Sequence, residues 1–199
     1  MDDDPATEIL EATYRALCEH GYADLTMKDI AAESERSKAA IHYHYDSKEN
    51  LFVEFLDYLF ERYTDHLTAA EDGRPRDRLF ELLEVVLGET EAKPGQEFRT
   101  AMLEVKAQAP YAPAIRERLE RFDEYLLDHV TETVEAGVEA GEFDESVEPG
   151  DAAEFLVTAI TGAHTRRVTV DRSTEELANL LQGYIERTLL VDEKSEDAD

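Results

Sequence analysis

The sequence predicts an all-α chain, with an N-terminal three-helix domain followed by a larger helical bundle. Three observations predict it. Apolar residues recur at helical spacing along nearly the whole chain, and no stretch keeps up the alternation of a strand. Hydroxyl side chains stand where helix N-caps belong, with Gly and Pro punctuating the runs between them. Hydrophobic content of 42%, with 9% aromatics, supports a buried core in a chain of 199 residues.

Each element follows from local pattern. Ile9, Leu10, Thr13, Leu17 and Cys18 share one helical face, and Gly21 supplies the stop. In "TMKDIA", Thr26 is an N-cap with an acid three residues on, a capping-box pattern that opens a second helix. Ser37 caps a third, "KAAIHYHY", and Ser47 caps a fourth, "KENLFVEFLDYLFERYTDHL". Leu51, Phe52, Phe55, Leu56, Leu59, Phe60 and Tyr63 keep helical spacing, so the fourth helix is long. "EDGRPRDR" is a Gly/Pro break. Beyond it, Phe80, Leu83 and Leu87 form one face, and Phe98, Met102, Val105 and Lys106 lie on a segment that ends before Pro110. A long run from about Pro113 to Gly141 carries Leu119, Phe122, Leu126, Val130 and Val134. "GEFDESVEPGD" is a loop, followed by "AAEFLVTAITGAHTRRV" and "STEELANLLQGYIERTLLV". The expected domains are residues 1–50, residues 51–191 and an acidic tail, residues 192–199.

Charge dominates the composition: 48 acidic against 20 basic residues give a net −28. Such a field hydrates the surface and repels polyanions. One reading is a soluble protein that avoids partners. The other is adaptation to molar salt, where the Debye length falls to about 3 Å and self-repulsion is screened. Only 6 of the basic residues are lysines, and this scarcity, with the tail "VDEKSEDAD", favours the halophilic reading. A single cysteine, Cys18, excludes an intramolecular disulfide framework, and its place in an apolar-periodic run fits a small core residue. No run approaches the roughly 18 apolar residues of a membrane span, and "MDDDPATEIL" lacks the basic start of a signal peptide. No membrane partner and a cytoplasmic location are expected.

"TMKDIAAE-SER-SKAAIHYHY" has the proportions of a helix-turn-helix, whose second helix enters the major groove N-terminal residues foremost. Here those residues are Lys38, Ala39 and Ala40. Small alanines allow close approach to base edges, and their methyl groups can touch thymine methyls. The His-x-His of "HYHYD" suggests a metal pair, but on a helix His42 and His44 point about 200° apart and cannot close on one ion. No metal site is expected. Lys48 falls in the first turn of the fourth helix, where a cation opposes the helix dipole unless both face an anion. Lys28, Lys38 and Lys48 place half of all the lysines in this small region, which favours phosphate.

The stretch "ILEATYRALCEHGYADLTMKDIAAESERSKAAIHYHYDSKENLF" resembles the DNA-binding domain of the TetR/AcrR family of transcriptional regulators, over about residues 8–55. Beyond residue 60 only the all-α organisation and rough length match, and the "HYHYDSKENL" wording on an acidic body resembles haloarchaeal members. The resemblance implies phosphate contacts from Thr26, Tyr43 and Lys48, with His42 at a position where many relatives carry tyrosine. It implies base-edge proximity for Lys38, Ala39 and Ala40, with Ser37 at the helix start. Tyr45 stands where the family has a core phenylalanine, and His44 is expected to pack or hydrogen-bond near the domain seam. Two departures matter. The inter-helix turn, Gly then an apolar residue in relatives, reads Glu35-Arg36 here, and Arg36 either points at phosphate or lays its stem over a buried site. Residues 1–48 also carry five basic and eleven acidic groups, −6 in all. At molar salt the counterion-release drive is mostly gone, so recognition must rest on hydrogen bonds, shape and apolar contact, with shallow salt dependence.

The resemblance further implies a homodimer on a palindromic double-stranded operator and a small-molecule effector that releases it. Candidate pocket residues are Tyr63, Phe80, Phe98, Met102, Tyr125 and His164, and candidate dimer residues are Phe155, Ile160, Leu177, Leu181 and Tyr184. Plain core is the commoner role for such residues. Arg166-Arg167 is unusual in so acidic a chain and suits either an anionic effector or pairing with nearby acids. An enzyme is not expected: no phosphate loop, nucleophile motif, metal cluster, catalytic residue set or cofactor signature is present. The alternative function is a helix-turn-helix-derived module that binds small molecules or proteins but not DNA.

Overall fold

The computed structural model describes residues 5–34, 36–68, 73–88 and 95–191. Glu35, the tail 192–199 and the side chain of Lys38 lie outside the described residues. Among the described residues the chain is helical without a strand: α1 Pro5–Asp24, α2 Met27–Glu33, α3 Lys38–His44, α4 Lys48–Thr68, α5 Pro75–Leu87, α6 Gln96–Gln108, α7 Pro113–Glu139, α8 Pro149–Val170 and α9 Thr174–Thr188.

The expected caps form. Thr26 accepts from the N–H groups of Lys28 and Asp29, while the Asp29 carboxylate accepts from the Thr26 N–H, closing a capping box. Ser37 caps α3 by accepting from Ala40 N–H at 3.2 Å. Ser47 accepts from Asn50 N–H at 3.1 Å at the start of α4. Gly21 breaks α1 with φ 69° and ψ 170°, a region open essentially to glycine alone.

The described chain forms two compact units. The first takes everything up to Thr64 together with the stretch that ends at Phe122. The second takes Asp65 to Gly88 and Asp123 onward. This differs from a division at residue 50, because α4 continues the apolar face of the N-terminal helices. Phe52 and Phe55 are buried with Ile9, Leu17, Ile30 and Ile41, and α6 adds Ala101 and Val105 to the same core. Each large apolar side chain buried here is worth about 1.5–3 kcal/mol. In the second unit, α5, α8 and α9 bury Leu79, Leu83, Leu156, Ile160 and Ile185. The return to α9 is locked where Asp144 N–H donates to Leu189 O at 2.8 Å and Val191 N–H to Glu142 O at 3.2 Å.

Candidate nucleic-acid interface

α2 and α3, joined by the turn from Ser34 to Ser37, form the expected helix-turn-helix. α3 is anchored by Ile41 and by Tyr45 at its C-cap, both buried in the first unit, as the core position implied for Tyr45 requires. Between them Tyr43 turns outward, 87% exposed. Ala39 and His42 share this exposure, and Ala40 is half-buried. His44 departs from its expected place: it is exposed rather than packed at a seam, its ring perpendicular to that of Tyr43 with centroids 5.5 Å apart. α3 therefore presents small and aromatic side chains, with no acid in its first turn.

The turn is held from α1. Glu8 accepts from Ser34 Oγ at 2.8 Å and from Arg36 Nε at 3.2 Å, and Ser34 Oγ in turn accepts Arg36 N–H at 2.9 Å. Arg36 thus neither points freely at phosphate nor covers a core site; it pairs with an acid. The sequence offers no signal for this, since Glu8 and Arg36 are separated by most of two helices.

Lys48 also differs from expectation. Its Nζ donates to Tyr22 O and Leu25 O, both at 2.9 Å, and sits 4.5 Å from the centre of the Tyr22 ring. Burial lowers its pKa, partly opposed by Glu49 and Asp24. Two of its three N–H groups thus tie α4 to the end of α1, leaving one for an anion. Thr26 is occupied in the same way: its hydroxyl donates to Asp29 Oδ2, and those bonds hold the Asp29 carboxyl below its usual range. Lys28 is exposed beside it. Glu104 of α6 completes the frame, accepting from Tyr22 N–H at 2.7 Å and Ala23 N–H at 3.2 Å beyond the Gly21 break.

Residues 9–55 match the model of the TetR family of bacterial regulatory proteins, and residues 75–190 match the C-terminal domain of BetI-type transcriptional repressors. The chain belongs to the TetR family. A TetR transcription regulator from Haloarcula marismortui is 39% identical, with 92% of this chain and 97% of that one covered and a TM-score of 0.86. A transcriptional regulator from Saccharomonospora viridis, solved in complex with choline, is 25% identical over 94% of this chain and 98% of that one, with a TM-score of 0.84. The transcriptional repressor AcnR of Corynebacterium glutamicum is 28% identical over 174 residues, 87% of each chain. This TetR-family chain is a DNA-binding transcriptional regulator, and not an enzyme. None of its described helices is long and apolar enough to cross a membrane.

The other candidate residues scatter. Phe98 stacks on Tyr14 with centroids 4.7 Å apart, Met102 packs against the same core, and Tyr63 lies 5.8 Å from Phe122, all in the first unit. In the second unit Phe80 lies under Arg76, Tyr125 stacks on His129, and His164 Nε2 is 3.1 Å from Val86 O. The six therefore do not gather in one unit. Of the dimer candidates, Ile160 and Leu181 are buried within the second unit. Phe155 is 47% exposed, and Leu180, which the sequence reading passed over, is 65% exposed. Leu180 was findable, being one helical turn from both Leu177 and Tyr184. Cys18 is half-buried, its thiol pKa raised chiefly by burial. Of the adjacent arginines on α8, Arg167 pairs with Asp171.

Proposed function

We propose that the chain is a dimeric repressor, one α3 helix per copy reading a half-site of a palindromic operator, released by a small molecule bound in the second unit. The observation that carries the DNA face is Tyr43. A tyrosine 87% exposed on a helix whose flanking apolar residues are buried is an outward-facing aromatic in want of a surface. With Ala39, Ala40 and His42 it offers shape and hydrogen bonding rather than charge, as a reading head of net −6 requires. Lys28, Ser37, Lys38 and the remaining N–H of Lys48 flank it as phosphate partners; Thr26 serves as the cap that sets α2.

The dimer face runs over α8 and α9 through Phe155, Leu177, Leu180 and Tyr184, with the Phe155 and Tyr184 rings 4.7 Å apart. Gly162 on α8 leaves open space where a side chain would stand, room for a second helix to approach closely. A symmetric pairing of this face would set the spacing of two reading heads. The effector would act by binding one arrangement of the heads better than another; that the Saccharomonospora regulator was solved with a small molecule, choline, supports a ligand-responsive reading. Work in the cytoplasm at high salt completes the reading.

Footprinting the chain's own upstream DNA in molar KCl, beside light scattering, tests it. A protected two-fold site and a dimer that Leu180→Glu splits into monomers with loss of the footprint are expected. A monomer that footprints equally well would overturn the dimer, and the absence of any protected site would favour a non-DNA module.

A further inference from the structure

Arg78 differs from the arginines of this acidic chain that are held in ion pairs. Arg36 pairs with Glu8, Arg76 with Glu186, and Arg118 and Arg121 with Asp57. Arg78, two residues from Arg76 on α5, forms no ion pair among the described residues, although the chain carries 48 acids. Its Nε is buried and has no hydrogen-bond acceptor among the described residues. Its hydrogen bond runs from Nη2 to the Thr133 hydroxyl on α7, at a long 3.4 Å. Thr133 is 1% exposed and gives its own proton to His129 O at 2.8 Å, so its oxygen is fixed as an acceptor towards Arg78. Tyr125, His129 and Thr133 stand at four-residue steps along α7 and share one face, with the Tyr125 and His129 rings stacked 12° from parallel.

A guanidinium stays ionised at any working pH, and a buried donor on a charged group without an acceptor weakens the fold. What fits the guanidinium is an oxyanion, because Nε–H and an Nη N–H on one edge match the two oxygens of a carboxylate side by side. We propose that Arg78, oriented by Thr133, anchors a small carboxylate-bearing effector in the second unit, with the Tyr125–His129 stripe facing the rest of that molecule. This rests on reading the chain as an effector-released regulator and names the chemical class of the effector. A quaternary ammonium would be repelled by the same guanidinium.

The test uses the full chain at fixed ionic strength, with potassium acetate, succinate, tricarballylate and benzoate as probes and choline chloride as the cationic control. At a hundred times Kd, a bound carboxylate should raise Tm by roughly 5–10 °C, and the same compound should release operator DNA. Arg78→Met should abolish that shift. Arg78→Lys, which keeps the charge but lacks Nε, should weaken carboxylate binding at least tenfold, so the outcome does not hang on one variant. No shift with any carboxylate, a shift that survives Arg78→Met, or a shift with choline alone would overturn the proposal. Operator binding is measured in the same samples. If DNA is bound but no carboxylate acts, the regulator stands and the acid effector falls; if DNA is not bound at all, the regulator reading itself has failed.

Discussion

Glu104→Ala probes the joint between α6 and the reading head. The Glu104 carboxylate takes two backbone N–H groups just past the Gly21 break, Tyr22 at 2.7 Å and Ala23 at 3.2 Å. Hydrogen bonds to a charged group are worth about 1.5–3 kcal/mol each. The Ala23 bond is long and exposed, so the pair together should contribute about 2–3 kcal/mol. For a chain of this size that is a fall in Tm of roughly 5–10 °C, read by thermal unfolding in molar KCl. Glu104→Gln keeps an acceptor and should lose only about 1 kcal/mol. Gly21→Ala adds a second axis. Its backbone conformation costs a non-glycine residue about 1–3 kcal/mol, and its Cβ would stand 2.9 Å from Glu104 Oε2. In the double variant that clash vanishes while the backbone strain stays, so the two losses should fall short of additivity by about 1 kcal/mol. Equal, small effects of Ala and Gln at 104, or strict additivity with Gly21→Ala, would show that the carboxylate does not hold this joint.

Thr26→Ala removes the N-cap of α2 and should cost about 1 kcal/mol near neutral pH in thermal unfolding. The Asp29 carboxyl is held below the ordinary carboxylate range by its hydrogen bonds to Thr26, so that coupling is present above the unfolded pKa and lost as pH falls through the folded one. The gap between Thr26→Ala and the parent should therefore narrow in acid below about pH 4. Gly137→Ala would set a Cβ 2.3 Å from the buried Phe143 ring, and overpacking of this kind costs about 1–3 kcal/mol or more, visible as an early unfolding transition.

The fold was legible in the sequence where its signals are local. Thr26, Ser37 and Ser47 start helices because a hydroxyl can reach an N–H two or three residues on, and that reach is written in the spacing. Gly21 stops α1 for an equally local reason, its backbone conformation. The candidate interface was legible in part. Tyr43 and the alanines of α3 follow from helical geometry once Ile41 and Tyr45 are known to be core. What the sequence hid are the partners of charged groups. Lys48 turns to Tyr22 O and Leu25 O, and Arg36 to Glu8, because tertiary packing offers them acceptors that no spacing rule reveals. The difference between Leu181 and Leu180 is likewise one of helix rotation: consecutive residues on α9 stand about 100° apart, enough to put one in the core and the other out of it.

On this reading the outward face of α3 binds DNA without relying on net positive charge. Operator affinity of the parent chain and of Tyr43→Ala, measured by fluorescence anisotropy from moderate to molar KCl, tests it most directly. Stacking or hydrogen bonding by one well-placed aromatic is worth about 1–3 kcal/mol, so Tyr43→Ala should weaken binding by roughly tenfold to a hundredfold at every salt concentration. The parent should hold its affinity with only a shallow salt slope. Binding indifferent to Tyr43→Ala, or a steep loss of parent affinity as KCl approaches molar levels, would contradict the account.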